Sequence, residues 1–289
     1  MPEAAYLVSA VALTVSLVFG LANHIQHVAL QHMDVRSGTM IIVGVGLSLL
    51  LILSPAYLDL TTLSFRAVFW FALGGLIVPA LSMTLHTKSI GQLGPAITSA
   101  LTSTSPLFAI TIALIFLNED GGIRLYTGTA IIIGGIIYIA LRSRQIKATW
   151  PLWALLFPLG AAFCRASSYN VIKIGLADLP NPLTAALVGS TVSLIVLSAI
   201  QIIGRHPMPR WNPGYGWFAL CGVLNGIGLI GLNIALHLGT VTLVSPLVAT
   251  TPAFTLILGW LYFRKETVGW QTVVAMAVIF VGCLLIIFR

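Results

Sequence analysis

Residues 70–75 read Trp-Phe-Ala-Leu-Gly-Gly, and residues 217–222 repeat that stretch with one change, as Trp-Phe-Ala-Leu-Cys-Gly. The offset between the two copies is 147 residues. Further matches at an offset of 146 or 147 residues are Asn23 with Asn170, Asp34 with Asn181, and Ser105-Pro106 with Thr251-Pro252. Because these matches fall in several different segments at nearly one spacing, they indicate an internal repeat that spans the chain.

The chain of 289 residues has the composition of a membrane protein. Its residues are 58% hydrophobic and 7% charged, and its mean hydropathy is +1.03. A typical soluble domain has roughly 25% charged residues, so lipid is the solvent that accepts such a surface. The formal net charge is +7, but the basic residues stand singly or in small groups between apolar runs. That pattern favours contact with anionic lipid headgroups over nucleic acid binding.

Ten apolar segments are long enough to cross a bilayer as helices, which takes about 20 residues each. They are residues 6–30, 39–58, 67–85, 93–117, 123–141, 152–174, 183–203, 217–238, 241–263 and 268–288. The joins between them are short and hold no soluble domain. The sequence therefore places the function of the protein within the membrane.

The repeat divides these segments into two halves of five, residues 1–146 and 147–289. Since five is odd, the second half must lie upside down relative to the first. The predicted fold is an all-α integral membrane protein, one transmembrane domain of ten helices arranged as two inverted-topology five-helix repeats. Inverted repeats are typical of secondary transporters, whose substrate site lies near the midplane where the halves meet. The alternative is a duplication that serves stability only.

Several stretches resemble the EamA-like branch of the drug/metabolite transporter superfamily. They are Phe19-Gly20-Leu21-Ala22-Asn23, residues 177–184, Ser105-Pro106-Leu107-Phe108, Thr251-Pro252-Ala253-Phe254, and the acidic turns at residues 117–120 and 263–266. The resemblance implies a central cavity lined by helices 1, 3, 4, 6, 8 and 9, with helices 5 and 10 at the periphery. It also implies a multi-pass protein of the cell membrane, in bacteria the inner membrane, with both termini in the cytoplasm.

The distribution of basic residues points to the opposite orientation. The joins between consecutive predicted helices are numbered in chain order, so that the first join connects helices 1 and 2. The odd-numbered joins hold nine lysines and arginines, whereas the even-numbered joins and the C-terminus hold four. The positive-inside rule would place both termini outside. Inverted repeats carry weak charge asymmetry, so the expectation here follows the family.

Arg165 lies near the middle of the sixth segment, where a charge costs at least ~2.5–3.5 kcal/mol on insertion scales. One interpretation is that Arg165 binds a carboxylate, phosphate or sulfonate of the substrate. The other is a structural arginine satisfied by backbone carbonyls at a broken helix. The other predicted substrate-binding residues are Asn23, His27, His86, Tyr169, Asn170, Asn225 and Asn233. The predicted helix breaks facing the cavity are Ser105, Pro106, Thr251 and Pro252. For each of these polar groups the alternative is hydrogen bonding between helices.

The sequence predicts neither a metal site nor a cofactor. His24 and His27 have helical spacing, but no third ligand is placed near them. No phosphate-binding loop for ATP occurs. Every Asp and Glu lies at a terminus or in a join, which argues against a cationic drug substrate and against a carboxylate proton relay.

The function predicted from these features is secondary active transport. The chain would export or exchange a small polar metabolite, such as an amino acid or an organic anion, by alternating access. A proton or a counter-solute would drive it, and His27 and His86 are the candidates for titration near neutral pH. The expected state is a monomer or a homodimer. The alternatives are an intramembrane enzyme and a helical scaffold or sensor without flux.

Overall fold

A computed structural model describes residues 2–56, 63–93, 98, 101–102, 104–119, 122–142, 152–204, 212–259, 261 and 270–288. Within these residues the chain is helical throughout and contains no strand. Its helical segments form ten helices, numbered here in chain order. This confirms the predicted all-α class and the number of helices.

The first half contains helices 1 to 5. Helix 1 is Pro2–Ala29, helix 2 is Val35–Leu53, helix 4 is Ser105–Phe116 and helix 5 is Ile123–Arg142. Helix 3 consists of three consecutive segments, Phe65–Gly75, Leu76–Leu81 and Ser82–Leu93, of which the middle one is a π-helix.

The second half contains helices 6 to 10. Helix 6 is Leu156–Asp178, helix 7 is Pro182–Ile203, helix 8 is Gly214–Leu238 and helix 10 is Trp270–Ile287. Helix 9 is broken into Val241–Val248 and Thr251–Leu258. Five stretches of the described chain are both long and apolar enough to cross a membrane. They are Ala5–Ala29, Val35–Leu53, Phe65–Ser89, Pro182–Ile203 and Gly214–Leu238.

The repeat pair Asp34 and Asn181 begins equivalent helices in the two halves. The carboxylate of Asp34 accepts hydrogen bonds from the backbone N–H groups of Arg36 and Ser37, both at 3.1 Å. The side-chain oxygen of Asn181 accepts one from the N–H of Thr184 at 3.1 Å. Each side chain thus satisfies N–H groups that the first turn of a helix leaves free, and the two caps fix the starts of helices 2 and 7.

Contacts between helix ends show which ends share a face of the molecule. The rings of Tyr6 and Phe288, near the two chain termini, lie 5.9 Å apart. The guanidinium of Arg66, at the start of helix 3, pairs with the carboxylate of Asp178, at the end of helix 6, at 3.2 Å. We call this the terminal face. On the opposite face, the side-chain amide of Asn212 donates to the carbonyl oxygen of His32 at 3.3 Å.

These contacts establish the inverted topology. Helix 3 starts at the terminal face, where helix 6 ends. Helix 8 also ends there, because Lys173 of helix 6 donates hydrogen bonds to the carbonyls of Leu236 and Gly239, at 2.7 and 2.6 Å. Helices 3 and 8, which carry the repeated hexapeptide, therefore run in opposite directions. This confirms the prediction of two inverted halves.

The glycines of the repeated hexapeptide allow equivalent close contacts in the two halves. A methyl group on Gly75 would collide with the backbone of Gly189 in helix 7. A methyl group on Gly222, the counterpart of Gly75, would lie 2.8 Å from the carbonyl oxygen of Ile42 in helix 2. Helices 3 and 7 thus pack in the same manner as helices 8 and 2. Helices 5 and 10 pack on each other through Gly128 and Gly282, and buried side chains of both join the apolar cluster formed with helices 1, 8 and 9.

Candidate functional site

A cavity of about 130 Å³ lies between the two halves. A single water needs roughly 10–15 Å³ by this measure, so the cavity has room for a small solute. Its wall comes from helices 1, 2, 3, 4, 6, 7, 8 and 9. Helices 2 and 7 were not expected there. They contribute Ile42, Val43 and Gly46 from helix 2 and Ser190 from helix 7. None of the described residues of helices 5 and 10 lines the cavity.

Two helix breaks adjoin the cavity. Val78 in the middle segment of helix 3 has φ −139° and ψ 128°, an extended conformation, and a proline follows it in the sequence. A residue before proline is displaced from the helical region by steric contact with the proline ring. Helix 9 is interrupted between Val248 and Thr251. Backbone groups freed at such breaks must face protein or a water-filled cavity, and Val78 and Ala249 both line this one.

Thr251 and Pro252 also line the cavity, just after the break in helix 9. Ser105 occupies the equivalent place at the start of helix 4 and lines the cavity too. Pro106 is buried beside it and is not part of the wall. Pro106 is pre-set for the first turn of a helix by its fixed φ.

Among the described residues, Arg165 is the one arginine or lysine in the wall of the cavity. It lies in helix 6, is partly buried, and shares the cavity with both helix breaks. Within the described part of the chain, its guanidinium makes neither an ion pair nor a hydrogen bond. His86 of helix 3 and Tyr169 of helix 6 lie close enough for electrostatic interaction with it, and both line the cavity. The predicted residues Arg165, His86 and Tyr169 thus meet in one place.

Three amide side chains share the cavity with this group. Asn23 of helix 1 is partly exposed to the cavity and forms no hydrogen bond with the described residues. Asn225 of helix 8 donates from its amide nitrogen to the carbonyl oxygen of Cys221 at 2.9 Å, so its amide oxygen stays available. Gln26, which follows Asn23 by one helical turn, donates to the hydroxyl of Thr87 at 3.2 Å.

Three predicted substrate-binding residues lie elsewhere. Asn170 is buried between helices and donates to the carbonyl oxygens of Ala109, at 3.2 Å, and Ala166, at 2.9 Å. Asn233 is fully buried and donates to the carbonyl of Pro182 at 3.2 Å. His27 is exposed and forms no part of the cavity wall. In this structure these side chains serve helix contacts or face outward.

Several wall residues were absent from the predicted site. They include Gln26, Ser82, Thr102, Ser190 and the apolar side chains Phe19, Ile42, Val43, Met83, Leu229 and Leu232. Gln26 could have been found from its spacing of three residues after Asn23, which places both on one helical face. The apolar residues carry no signal in the sequence, because every helix here is rich in them.

The cavity is closed toward the terminal face. Between them lies a buried apolar cluster that includes Val8 and Val15 of helix 1, Leu236 of helix 8 and Val244 of helix 9. The hydroxyl of Ser16 in helix 1 donates to the carbonyl of Leu247 at 2.9 Å and ties helix 1 to helix 9. The wall residues of helices 1 and 3 come instead from the halves of those helices nearer the opposite face.

The turn between helices 8 and 9 is held at the terminal face from both sides. The two carboxylate oxygens of Glu119 accept hydrogen bonds from the backbone N–H groups of Val241 and Thr242, both at 2.9 Å. The amine of Lys173 donates to the last carbonyls of helix 8. Charges of these signs are favourable at these helix ends. We call Glu119 and Lys173 the terminal-face clamp.

No group of three or more His, Cys, Asp or Glu side chains suited to a metal ion occurs among the residues that the structure describes.

Comparison with known proteins identifies a relationship over nearly the whole chain. The model of the EamA-like transporter family matches residues 7–141 and again residues 152–288. A solved crystal structure, described only as that of a protein, superposes with a TM-score of 0.78 at 15% identity. That match covers 98% of this chain and 96% of the other, and it shows the fold alone. No curated protein matches the chain at a significant level.

Proposed function

The chain belongs to the EamA-like transporter family, and we propose that it exports or exchanges a small polar metabolite, such as an amino acid or an organic anion, by alternating access. Members of this family are membrane transporters of the drug/metabolite type, not enzymes. The finer proposal of substrate and mechanism is carried by one observation. Arg165, which has no hydrogen bond or ion pair with the residues that the structure describes, lies in a cavity at the junction of two inverted halves.

Arg165 is proposed to bind an acidic group of the substrate. A guanidinium stays charged in the membrane and presents a planar fork of donors that fits a carboxylate with two parallel hydrogen bonds. Tyr169 and Asn23 flank the cavity with groups that donate hydrogen bonds. The insertion cost of the charge, at least ~2.5–3.5 kcal/mol, is offset when the anion binds.

Alternating access is proposed to proceed by movement of one half against the other around this cavity. In the structure the apolar cluster and the terminal-face clamp close one side. The reverse state would open that side and close the other, as inverted repeats permit. The driving force is proposed to be a proton or a counter-solute, since the sequence has no nucleotide-binding loop.

The test begins with a thermal-shift screen of purified protein against amino acids and organic anions, since a ligand of the folded state raises its melting temperature. Uptake of the solute that gives the largest shift is then measured in proteoliposomes. Arg165→Ala is expected to abolish uptake, and Arg165→Lys, which keeps the charge but loses the fork, to reduce it about tenfold.

Size-exclusion chromatography distinguishes a binding role from a structural one. Arg165→Ala removes a costly charge that has no hydrogen bond or ion pair with the described residues, so the variant should elute as a folded protein. Normal uptake by this variant would refute the proposed role, and loss of folding would make Arg165 a structural residue.

A further inference from the structure

We infer that the substrate is a small organic anion of net negative charge, with a carboxylate or similar oxyanion and without an ammonium group. This inference rests on the proposed transport function and narrows its substrate class. It separates organic anions from zwitterionic amino acids, which the proposed function leaves together.

The first step is the charge balance of the cavity. The described residues of its wall include one guanidinium, Arg165, and no carboxylate. The carboxylates for which the structure gives contacts are engaged at the two faces of the molecule. Asp34 and Glu119 cap helices, and Asp178 pairs with Arg66. A substrate anion is therefore the group that can balance Arg165 within the cavity.

The second step is the contrast between Arg165 and Lys173, two cations of the same helix. Lys173 lies eight residues further on, and its amine donates to two backbone carbonyls. A cation of helix 6 can thus be stabilised by backbone carbonyls, as Lys173 is. Arg165 has no such contact with the described residues. Its guanidinium is left for a ligand, whereas Lys173 serves the fold.

The third step concerns what an ammonium group would meet. A zwitterionic amino acid would place its ammonium within a few ångströms of its own carboxylate, hence near the guanidinium, where like charges repel. The remaining polar wall groups are neutral amides, hydroxyls and an imidazole, such as Asn23, Asn225 and His86. The free amide oxygen of Asn225 fits an uncharged hydroxyl donor. Because this oxygen is uncharged, it would not offset the free energy lost when an ammonium group gives up its water.

The fourth step is the apolar remainder of the wall. Phe19, Ile42, Met83, Leu229 and Leu232 contribute apolar surface to the cavity. Such a surface can contact the hydrocarbon part of an organic anion, but a charged group placed against it would lose its water without compensation. A hydroxy acid with a short or aromatic side chain supplies a carboxylate for Arg165, a hydroxyl for Asn225 and a hydrocarbon part for the apolar wall.

The experiment compares solutes that share a skeleton and differ in charge. Lactate, alanine and ethylamine form one series, and 3-phenyllactate, phenylalanine and phenethylamine form the other, with net charges of −1, 0 and +1 at neutral pH. Binding to detergent-purified protein is measured by thermal shift, and flux by counterflow in proteoliposomes. The hydroxy acids should bind about tenfold more tightly than the amino acids, because the guanidinium repels the ammonium of an amino acid. The amines should not bind, because they have no carboxylate to accept charge-assisted hydrogen bonds from Arg165.

Two variants assign the preference to the cavity. Arg165→Gln should remove the preference for the hydroxy acids. Lys88→Gln removes a positive charge that lies outside the cavity, over the ring of Phe157, and should leave the preference unchanged. If Arg165→Gln does not fold, the order of the three charges in the wild type still decides the inference.

The possible results separate this inference from the transport function. Equal or tighter binding of alanine and phenylalanine would overturn the inference and leave the transporter proposal intact. Absence of binding by both hydroxy acids would overturn it as well. The transporter proposal fails by a different result, namely a cavity that never becomes accessible to water-soluble reagents.

Discussion

At the scale of single residues, the repeat places two asparagines at equivalent positions with different surroundings. Asn23 faces the cavity without a described hydrogen bond, whereas Asn170 donates to two carbonyls between helices 4 and 6. A common ancestor of the two halves would have had one residue there. The structure thus separates a side chain available to a ligand from one used for packing.

Alanine at each of these positions should give opposite effects. Asn23→Ala should lower transport about tenfold while the melting temperature stays the same, because the side chain forms no hydrogen bond with the residues that the structure describes. Asn170→Ala should lower stability by roughly 1–2 kcal/mol, since a buried carbonyl of Ala109 loses its donor. Paired measurements of proteoliposome flux and thermal unfolding check both variants. A destabilised Asn23→Ala protein would contradict this assignment.

The sequence predicted part of the candidate site for a physical reason. Arg165, His86, Tyr169 and Asn225 are polar residues in apolar helices, and such residues face the bundle interior. His27 shows the limit of that rule, since it follows Asn23 by four residues and yet lies exposed. The rotation of helix 1 is set by its packing on helix 8, through contacts such as that of Phe19 with Gly228. A single helix does not reveal that rotation.

At the scale of helices, the close contact of helices 3 and 7 gives a prediction about folding. Gly75→Ala should destabilise the protein by roughly 1–3 kcal/mol or prevent folding, because the new methyl group meets the backbone of Gly189. Gly134→Ala in helix 5 is the matched control, since nothing lies within 4 Å of its added carbon. Yield and monodispersity after membrane extraction measure both. Equal behaviour of the two variants would argue against this helix contact.

The N-caps of helices 2 and 7 give a prediction about pH. Burial acts to raise the pKa of Asp34, but hydrogen bonds from Ser37 and Arg36 outweigh it, and the pKa of that carboxyl lies below its usual value. The cap therefore contributes fully above the ordinary carboxyl pKa of about 3.9. Its contribution is lost as the pH falls through the lowered native value. Asp34→Ala should cost about 1 kcal/mol at neutral pH and progressively less in acid.

Asn181→Ala provides the matched control for that pH dependence. Asn181 caps helix 7 through an amide, which does not titrate, so the cost of its loss should not vary between pH 3 and 7. Thermal unfolding of both variants across this range checks the prediction. A constant cost for Asp34→Ala would contradict it.

The sequence could predict that two helices are broken, but not where the breaks lie relative to the cavity. The break in helix 9 precedes Pro252, and proline in an apolar helix is a visible signal. The π-helical segment of helix 3 also contains a proline, at position 79. This segment lies near the cavity because helices 3, 6 and 7 pack together there. That packing depends on contacts between residues far apart in the sequence, which a local sequence pattern does not reveal.

At the scale of the whole molecule, the closed terminal face predicts which side admits a reagent. Single cysteines at Asn23 and His86, in a background without the native cysteines, should react with a membrane-impermeant thiol reagent added from the opposite face. A cysteine at Val244, inside the apolar cluster, should stay unreactive. If the termini are cytoplasmic as in the family expectation, the reactive face is the outer one in whole cells. Absence of reaction from both sides would contradict the transport proposal.

The two repeat-related positions 26 and 173 hold different side chains, and this has a consequence for the speed of the cycle. Two identical halves would give two end states of equal free energy. In the proposed cycle, opening the terminal face would break two hydrogen bonds of the amine of Lys173, whereas the hydrogen bond of Gln26 to Thr87 joins neutral groups. Charge-assisted bonds are roughly twice as strong as neutral ones. For the proposed transport cycle we therefore expect the state with a closed terminal face to be the more stable one, and the opening of that face to limit the rate of turnover.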